Sequence, residues 1–182
     1  MVEKIIVSAC LLGRPVRYNG TARLTGHELL ERWQREGRIV SICPELTAGF
    51  AVPRPPAEIA LGSSGEAVLQ GCANVIEATG LDVTALYVAG AHATLALARE
   101  HDCRFALLTD GSPSCGSGFI YDGSFRGQTH GAAGVTASLL RNHGIKVFSE
   151  SRIDELQSCL SSQAGRSKRS LAEATRDDGY KV

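Results

Sequence analysis

Four short apolar runs alternate along the chain with three longer segments that have helical periodicity. The runs are rich in Val, Ile, Leu and Phe, as buried strands are, and they cover residues 1–8, 38–42, 104–108 and 145–150. The helical segments between them cover residues 25–37, 82–101 and 130–144. Because strands that alternate with helices form parallel sheets, the sequence predicts an α/β fold: a mainly parallel sheet with flanking helices, Rossmann-like.

Local signals mark the ends of the first helix and predict one insertion. Thr25 is a possible N-cap residue, with Glu28 three positions later, and Gly37 is expected to stop the helix. The proline-rich segment 48–61 is predicted to be extended. In "EAVLQGCANVIEATG" (66–80), two short segments around a glycine predict a small β-hairpin insertion.

The chain is long enough to form one domain with a proper core. We expect residues 1–150 to form a single α/β catalytic domain and residues 151–182 to be a C-terminal helix or flexible tail. Beyond about residue 160 the sequence is polar and weakly periodic, although a helix around Leu171 is possible.

Charge and cysteine content indicate the class of partner and the compartment. Lys plus Arg and Asp plus Glu each number 19, so no net field attracts nucleic acid or an anionic membrane, and a small-molecule partner is expected. No run approaches the roughly 20 apolar residues of a membrane span, and none resembles a secretory signal. We therefore expect a cytoplasmic protein whose cysteines serve metal binding or catalysis.

Three of the six cysteines follow a predicted strand directly or lie in the loop that follows it. Cys10, Cys43 and Cys115 each lie in a short stretch of small residues or proline after a strand. The carboxyl ends of parallel strands share one edge of the sheet, where ligands bind in such folds, so these cysteines are expected to converge. The others are expected to be structural or incidental: Cys72, Cys103 and Cys159.

Three converging thiolates suit zinc or an iron–sulfur cluster, and neither the spacing nor the residue types chooses between them. With three protein ligands, one position of a four-coordinate centre stays open. An open position is typical of a catalytic centre rather than a structural one.

Eight ordered motifs between about residues 4 and 150 resemble the thiouracil desulfidases. They are "SACLLG", "RYNG", "CPE", "PRPPAEI", "GLDVT", "SPSCG", "IYDGSF" and "GVTASLL". The resemblance implies a 4Fe–4S cluster held by Cys10, Cys43 and Cys115. It also implies removal of sulfur from thiolated uracil without an external redox partner. Many relatives have a cysteine where this chain has Val16, so that position supplies no fourth ligand here.

The implied reaction needs groups that handle protons and groups that bind the substrate. An iron without a protein ligand would bind the thiocarbonyl sulfur, and water would add to the ring carbon. We expect Glu45 and Ser112 to be catalytic, because they are close in sequence to Cys43 and Cys115. Their alternatives are a carboxylate at a helix start and a turn former. Arg54, Ser8 and Tyr121 are the expected substrate-binding residues.

Two other functions are compatible with the same cysteines. One is a zinc-dependent hydrolase. The other is a non-enzymatic iron–sulfur or persulfide carrier that delivers sulfur to a partner. The metal content and the release of sulfide from a thiolated pyrimidine discriminate among the three hypotheses.

Overall fold

The structure is a computed structural model, and it describes residues 2–23 and 26–162. The strands of these residues are β1 (Ile5–Ser8), β2 (Ile39–Ile42), β3 (Ala57–Ile59), β4 (Val75–Glu77), β5 (Phe105–Leu108), β6 (Ile120–Tyr121), β7 (Thr129–His130) and β8 (Lys146–Ser149). The helices are α1 (Glu28–Arg35), α2 (Pro44–Thr47), α3 (Gly65–Leu69), α4 (Thr84–Glu100), α5 (Val135–Asn142) and α6 (residues 153–162).

The central sheet has four parallel strands in the order β2–β1–β5–β8. Ile5 of β1 lies opposite Ile39 of β2 on one side and Phe105 of β5 on the other. The inner strands β1 and β5 are buried along their whole length, which explains their uninterrupted apolar sequence. The predicted α/β fold class is confirmed.

Helices cover both faces of this sheet. Successive strand residues point to opposite faces, so each strand contributes to two cores. Ile6 and Ala106 share one core with buried residues of α4 and α5. Ile5 packs in the other core with Trp33 of α1 and Leu156 of α6. The three layers leave the carboxyl edge of the sheet open between the loops that follow the strands.

The predicted hairpin at residues 66–80 is wrong in its first half. Gly65–Leu69 forms α3, because the Ser64 hydroxyl caps the amide of Ala67 at 3.3 Å and Val68 is buried in the core. The second half forms β4, which pairs antiparallel with β3 instead. An antiparallel insertion is therefore present, but its first strand comes from the end of the proline-rich segment.

Two helices begin three or more residues later than predicted. The segment 130–144 becomes helical only at Val135, because Thr129–His130 forms β7 and pairs with β6. Helix α1 begins at Glu28, where the imidazole of His27 accepts a hydrogen bond from the amide of Leu29 at 3.2 Å. The proposed cap Thr25 lies outside the described residues, as does the possible helix around Leu171.

Residues 153–162 form α6, and its buried side chains pack on the second core. The remainder of the predicted tail lies outside the described residues. No helix in the part of the chain that the structure describes is long and apolar enough to span a membrane.

Candidate metal centre and active site

The three predicted ligands occupy loops at the carboxyl ends of three neighbouring strands. Cys10 lies in a single 3-10 turn directly after β1. Cys43 immediately precedes α2, whose first residue is proline. Cys115 lies in the loop after β5, where the Ser112 hydroxyl accepts hydrogen bonds from the amides of Ser114 and Cys115, both at 3.1 Å. Each cysteine is thus fixed by a tight turn that its own neighbours form.

The start of α5 fixes the Cys115 loop from the other side. The amides of Val135 and Thr136 donate to the carbonyls of Pro113 and Ser114 at 2.9 Å each. A Cβ on Gly134 would lie 2.5 Å from the Ser114 carbonyl oxygen, so only glycine allows this approach. Helix α5 therefore helps to place Cys115.

The three cysteines line one cavity of about 440 Å³. The other predicted site residues line the same cavity: Ser8, Glu45, Arg54, Ser112 and Tyr121. Cys72, Cys103 and Cys159 do not line it. The structure therefore brings together all eight residues that the sequence singled out for the site.

Burial favours the neutral form of all three thiols in the cavity. It raises the pKa of Cys115 well above its usual value, that of Cys10 to about 11, and that of Cys43 as well. Hydrogen bonds act in the opposite direction, from the Ser8 hydroxyl to the Cys115 sulfur and from backbone amides of α2 to the Cys43 sulfur. Thiolates here need a nearby positive charge, which bound metal supplies.

The arrangement of these cysteines fits a cluster. Among the described residues, no three His, Cys, Asp or Glu side chains form a group that could hold one metal ion. Thiolates are the usual ligands of iron–sulfur clusters, and in a 4Fe–4S cluster each of three thiolates binds a different iron, so three thiols that line one cavity fit such a cluster.

Glu45 and Arg54 form a buried ion pair in the wall of this cavity. Only 13% of the Glu45 side chain and 6% of the Arg54 side chain is exposed. Arg54 Nε donates to Glu45 Oε2 at 2.8 Å, and Nη2 contacts the same oxygen. The remaining guanidinium hydrogens are taken by the carbonyls of Val16, at 3.2 Å, and Ala51, at 3.1 Å. Arg54 therefore holds Glu45 in place with its donors engaged by the protein.

The second oxygen of Glu45 faces the loop of Cys115. Its Oε1 accepts a hydrogen bond from the Ser112 hydroxyl at 3.4 Å. Ser112 shapes the turn, as one of its two predicted alternatives requires, and its hydroxyl also contacts the Glu45 carboxylate.

Ser8 and Tyr121 have different positions in the cavity. The Ser8 hydroxyl accepts a hydrogen bond from the Thr109 amide at 3.3 Å, and its interaction with the Cys115 thiol lowers the pKa of that thiol, against the larger effect of burial. Tyr121 belongs to β6 and is 38% exposed at the cavity. Ser8 therefore supports a candidate ligand, whereas Tyr121 is accessible to a bound molecule.

Several lining residues were missed by sequence reasoning. Tyr18 and Phe125 add aromatic surface, Arg17 and Asp110 add charge, and Glu58 adds a buried carboxylate. Tyr18, Glu58 and Phe125 lie in motifs that carry the family resemblance, "RYNG", "PRPPAEI" and "IYDGSF", which is the signal that could have found them.

Helix α4 positions Cys43 through a glycine, and this contact is testable. A Cβ on Gly90 would lie 2.4 Å from the carbonyl oxygen of Pro44. We expect Gly90→Ala to lower the free energy of unfolding by roughly 1–3 kcal/mol through overpacking, although alanine is otherwise the better helix former. Chemical denaturation of the anaerobically prepared protein measures this change.

Gly131→Ala is the control for that substitution, because its added methyl group meets no atom within 4 Å. It should leave the unfolding free energy nearly unchanged. A Gly90→Ala protein as stable as the unsubstituted one would show that α2 can shift away from α4 at little cost.

Comparisons with known proteins found a matching family, a similar sequence and a similar solved structure. Residues 5–152 match the 2-thiouracil desulfurase family. The chain is 46% identical over 152 residues to the uncharacterized protein YbbK of Bacillus subtilis, covering 84% of this chain and 99% of that protein. A solved structure of the 4Fe–4S-dependent thiouracil desulfidase TudS is 48% identical, with a TM-score of 0.79, and the match covers 87% of this chain and 98% of that one. The resemblance found in the sequence is thus confirmed, and the chain belongs to the 2-thiouracil desulfurase family.

Proposed function

We propose that this protein is a 4Fe–4S-dependent thiouracil desulfidase, which converts thiouracil and water to uracil and sulfide. The observation that carries the proposal is the convergence of three strand-end thiols and a buried carboxylate in one cavity. The likeness to TudS supports the same cofactor and the same substrate class.

Cys10, Cys43 and Cys115 would hold the cluster through their thiolates. When bound, the cluster would supply a Lewis-acidic iron that polarises the thiocarbonyl group and makes the ring carbon more electrophilic. The small residues around the cysteines leave backbone and hydroxyl donors close to the sulfurs, and such donors tune a cluster.

Glu45 is the proposed general base for the attacking water. Its Oε2 is engaged by Arg54, so Oε1 is the oxygen available to accept a proton. Ser112 contacts Oε1 and orients it toward the Cys115 side of the cavity. Because both oxygens of the Glu45 carboxylate are held, positioning this side chain for the reaction costs little conformational entropy.

The overall reaction balances without an electron donor. Water contributes the oxygen of the product carbonyl and two protons, and sulfur leaves with those protons as hydrogen sulfide. The oxidation state of the ring carbon is unchanged, so the proposed activity is a hydrolysis.

The compartment proposed is the cytoplasm. All six cysteines are free thiols in the structure, and the proposed ligands must remain reduced to bind iron. A reducing compartment meets this requirement.

The cluster-loaded protein tests the proposal directly. Purified without oxygen, it should convert 2-thiouracil or 4-thiouracil to uracil and one equivalent of sulfide without added reductant. Chromatography of uracil and a sulfide assay measure both products. If the cluster-loaded protein releases no sulfide from either thiouracil, the proposed desulfidase activity is refuted and the carrier function is favoured.

Arg54 is proposed to position Glu45 rather than to bind uracil, because its five N–H groups are engaged by the protein. We expect Arg54→Met to retain iron and to lower kcat by up to about 10²-fold, with KM for thiouracil little changed. Arg54→Lys should recover only part of this loss, because an ammonium cannot replace the planar five-donor group.

Arg104→Met is the matched control for Arg54→Met. Arg104 also pairs with a glutamate, Glu3, but its side chain is 60% exposed and it does not line the cavity. Its replacement should leave kcat unchanged. A selective rise in KM for Arg54→Met would instead show that this arginine binds the substrate directly.

A further inference from the structure

Glu58 is a buried carboxylate in the cavity wall that the proposed chemistry does not use. It lies on β3 and is 8% exposed. Its Oε2 accepts hydrogen bonds from the amides of Gly123, at 2.9 Å, and Phe125, at 3.0 Å. Glu58 therefore fastens the loop between β6 and β7 to the cavity wall.

The loop is fixed at further points. The amide of Gly62 donates to the carbonyl of Asp122 at 2.8 Å. A Cβ on Gly123 would lie 2.5 Å from the carbonyl oxygen of Ile59, so the loop lies directly against the end of β3. The Asp122 carboxylate also accepts the amide of Ser124 at 2.9 Å. These contacts give the loop a defined position beside the cavity.

Phe125 is held in an unfavourable backbone conformation at the tip of this loop. Its φ is 56°, in the left-handed region that bulky residues rarely adopt. Its ring is 40% exposed and lines the cavity, as do Tyr18 and Tyr121, which are 40% and 38% exposed. An exposed aromatic ring kept in a strained conformation beside a binding cavity points to a function in binding.

The other oxygen of Glu58 is not used by the protein. Oε1 makes no hydrogen bond to any residue that the structure describes, although the side chain lines the cavity. A carboxylate accepts hydrogen bonds and cannot donate them. This oxygen is therefore suited to an N–H group of a bound molecule.

We propose that Glu58 and Phe125 orient the substrate, with Glu58 Oε1 accepting a ring N–H of the pyrimidine and Phe125 stacking on its face. The inference rests on the proposed function, because it takes the substrate to be a thiolated uracil. Uracil and its thiolated forms carry two ring N–H donors and a planar ring, which match one acceptor and one aromatic wall. The Glu58 carboxylate thus holds the loop between β6 and β7 with Oε2 and binds the pyrimidine ring with Oε1.

Equilibrium binding of the product separates this inference from the chemistry. Uracil, 1-methyluracil and 3-methyluracil are titrated calorimetrically into cluster-loaded protein without oxygen. One methyluracil should bind the unsubstituted protein at least about tenfold more weakly than uracil, because it lacks the N–H that Glu58 accepts. If uracil and both methyluracils bind with equal affinity, the protein accepts no hydrogen bond from a ring N–H and the inference fails.

Glu58→Gln provides the decisive comparison. Its amide oxygen can still accept the loop amides, but its NH₂ group replaces the acceptor in the cavity. Uracil should bind about tenfold more weakly, and the penalty for methylation should fall below about threefold. A methylation penalty that persists in this variant is steric and would overturn the role of Glu58.

Three further variants complete the test. Phe125→Ala should weaken uracil binding by about tenfold, the loss of one stacking contact, while Phe125→Tyr should not. Glu77→Gln is the matched control, because Glu77 is equally buried on the neighbouring strand but does not line the cavity. Unchanged uracil binding by Phe125→Ala would overturn the stacking role.

Turnover of thiouracil by the unsubstituted protein is measured in the same preparations. Sulfide release together with normal binding by Glu58→Gln would refute this inference and leave the proposed function standing. Absence of sulfide release would refute the proposed function independently of these binding results.

Discussion

Replacing Cys115 with serine should abolish binding of the iron–sulfur cluster. Cys115 is the most deeply buried of the three thiols, and the neighbouring Ser8 hydroxyl lowers the pKa of this thiol, which burial raises. A serine hydroxyl is a poor ligand for iron in a sulfur environment. Cys10→Ser and Cys43→Ser should have the same effect. Iron and sulfide assays and the absorption spectrum of protein purified without oxygen measure the loss.

The remaining cysteines are internal controls for this prediction. Cys72 is exposed, Cys103 precedes β5 at the opposite edge of the sheet, and Cys159 lies on α6. Their serine variants should contain normal iron. Full iron content in Cys43→Ser would contradict the proposed ligand set. Stoichiometric zinc in the unsubstituted protein would contradict the cluster and support the zinc-dependent hydrolase instead.

The sequence predicted the sheet and the meeting of the cysteines because both follow from local patterns. Ile5–Ser8 and Phe105–Leu108 are continuous apolar runs, as strands buried on both faces must be. Once those strands are parallel, the residues that follow them share one edge. Topology alone therefore brings Cys10 and Cys115 to the same side of the molecule.

The contacts between loops could not be predicted in this way. Arg54 and Glu45 are nine residues apart, and no periodicity indicates that they form a buried pair. Glu58 binds amides 65 and 67 residues away. Such contacts depend on how irregular segments pack, whereas sequence patterns report mainly on regular elements.

Tertiary packing also explains the error at α3. The segment around Val68 contains good helix formers, Glu66, Ala67 and Leu69, but its two apolar stretches around a glycine are also typical of a hairpin. The Ser64 cap and burial of Val68 favour a helix, while β3 offers β4 a partner that the sequence did not reveal. The site is built partly from this insertion, since β3 carries Glu58.

Glu45→Gln should retain the cluster and lower kcat by about 10²-fold or more, the effect of removing a general base. Glu45 is not a thiolate, so the ligands remain, and glutamine has a similar shape but cannot take up a proton from water. Turnover per cluster, from sulfide release and iron content, measures the effect. Ser112→Ala should lower kcat less than Glu45→Gln does, because Arg54 still holds the Glu45 carboxylate in this variant.

The control for Glu45→Gln is Glu66→Gln, since Glu66 lies on α3 and does not line the cavity. That variant should keep full activity and full iron content. If Glu45→Gln turns over at a near-normal rate with its cluster intact, Glu45 is a structural partner of Arg54 at the start of α2. The proton acceptor would then be another group of the cavity, and the buried ion pair would serve to hold the start of α2 against the segments that contain Val16 and Ala51.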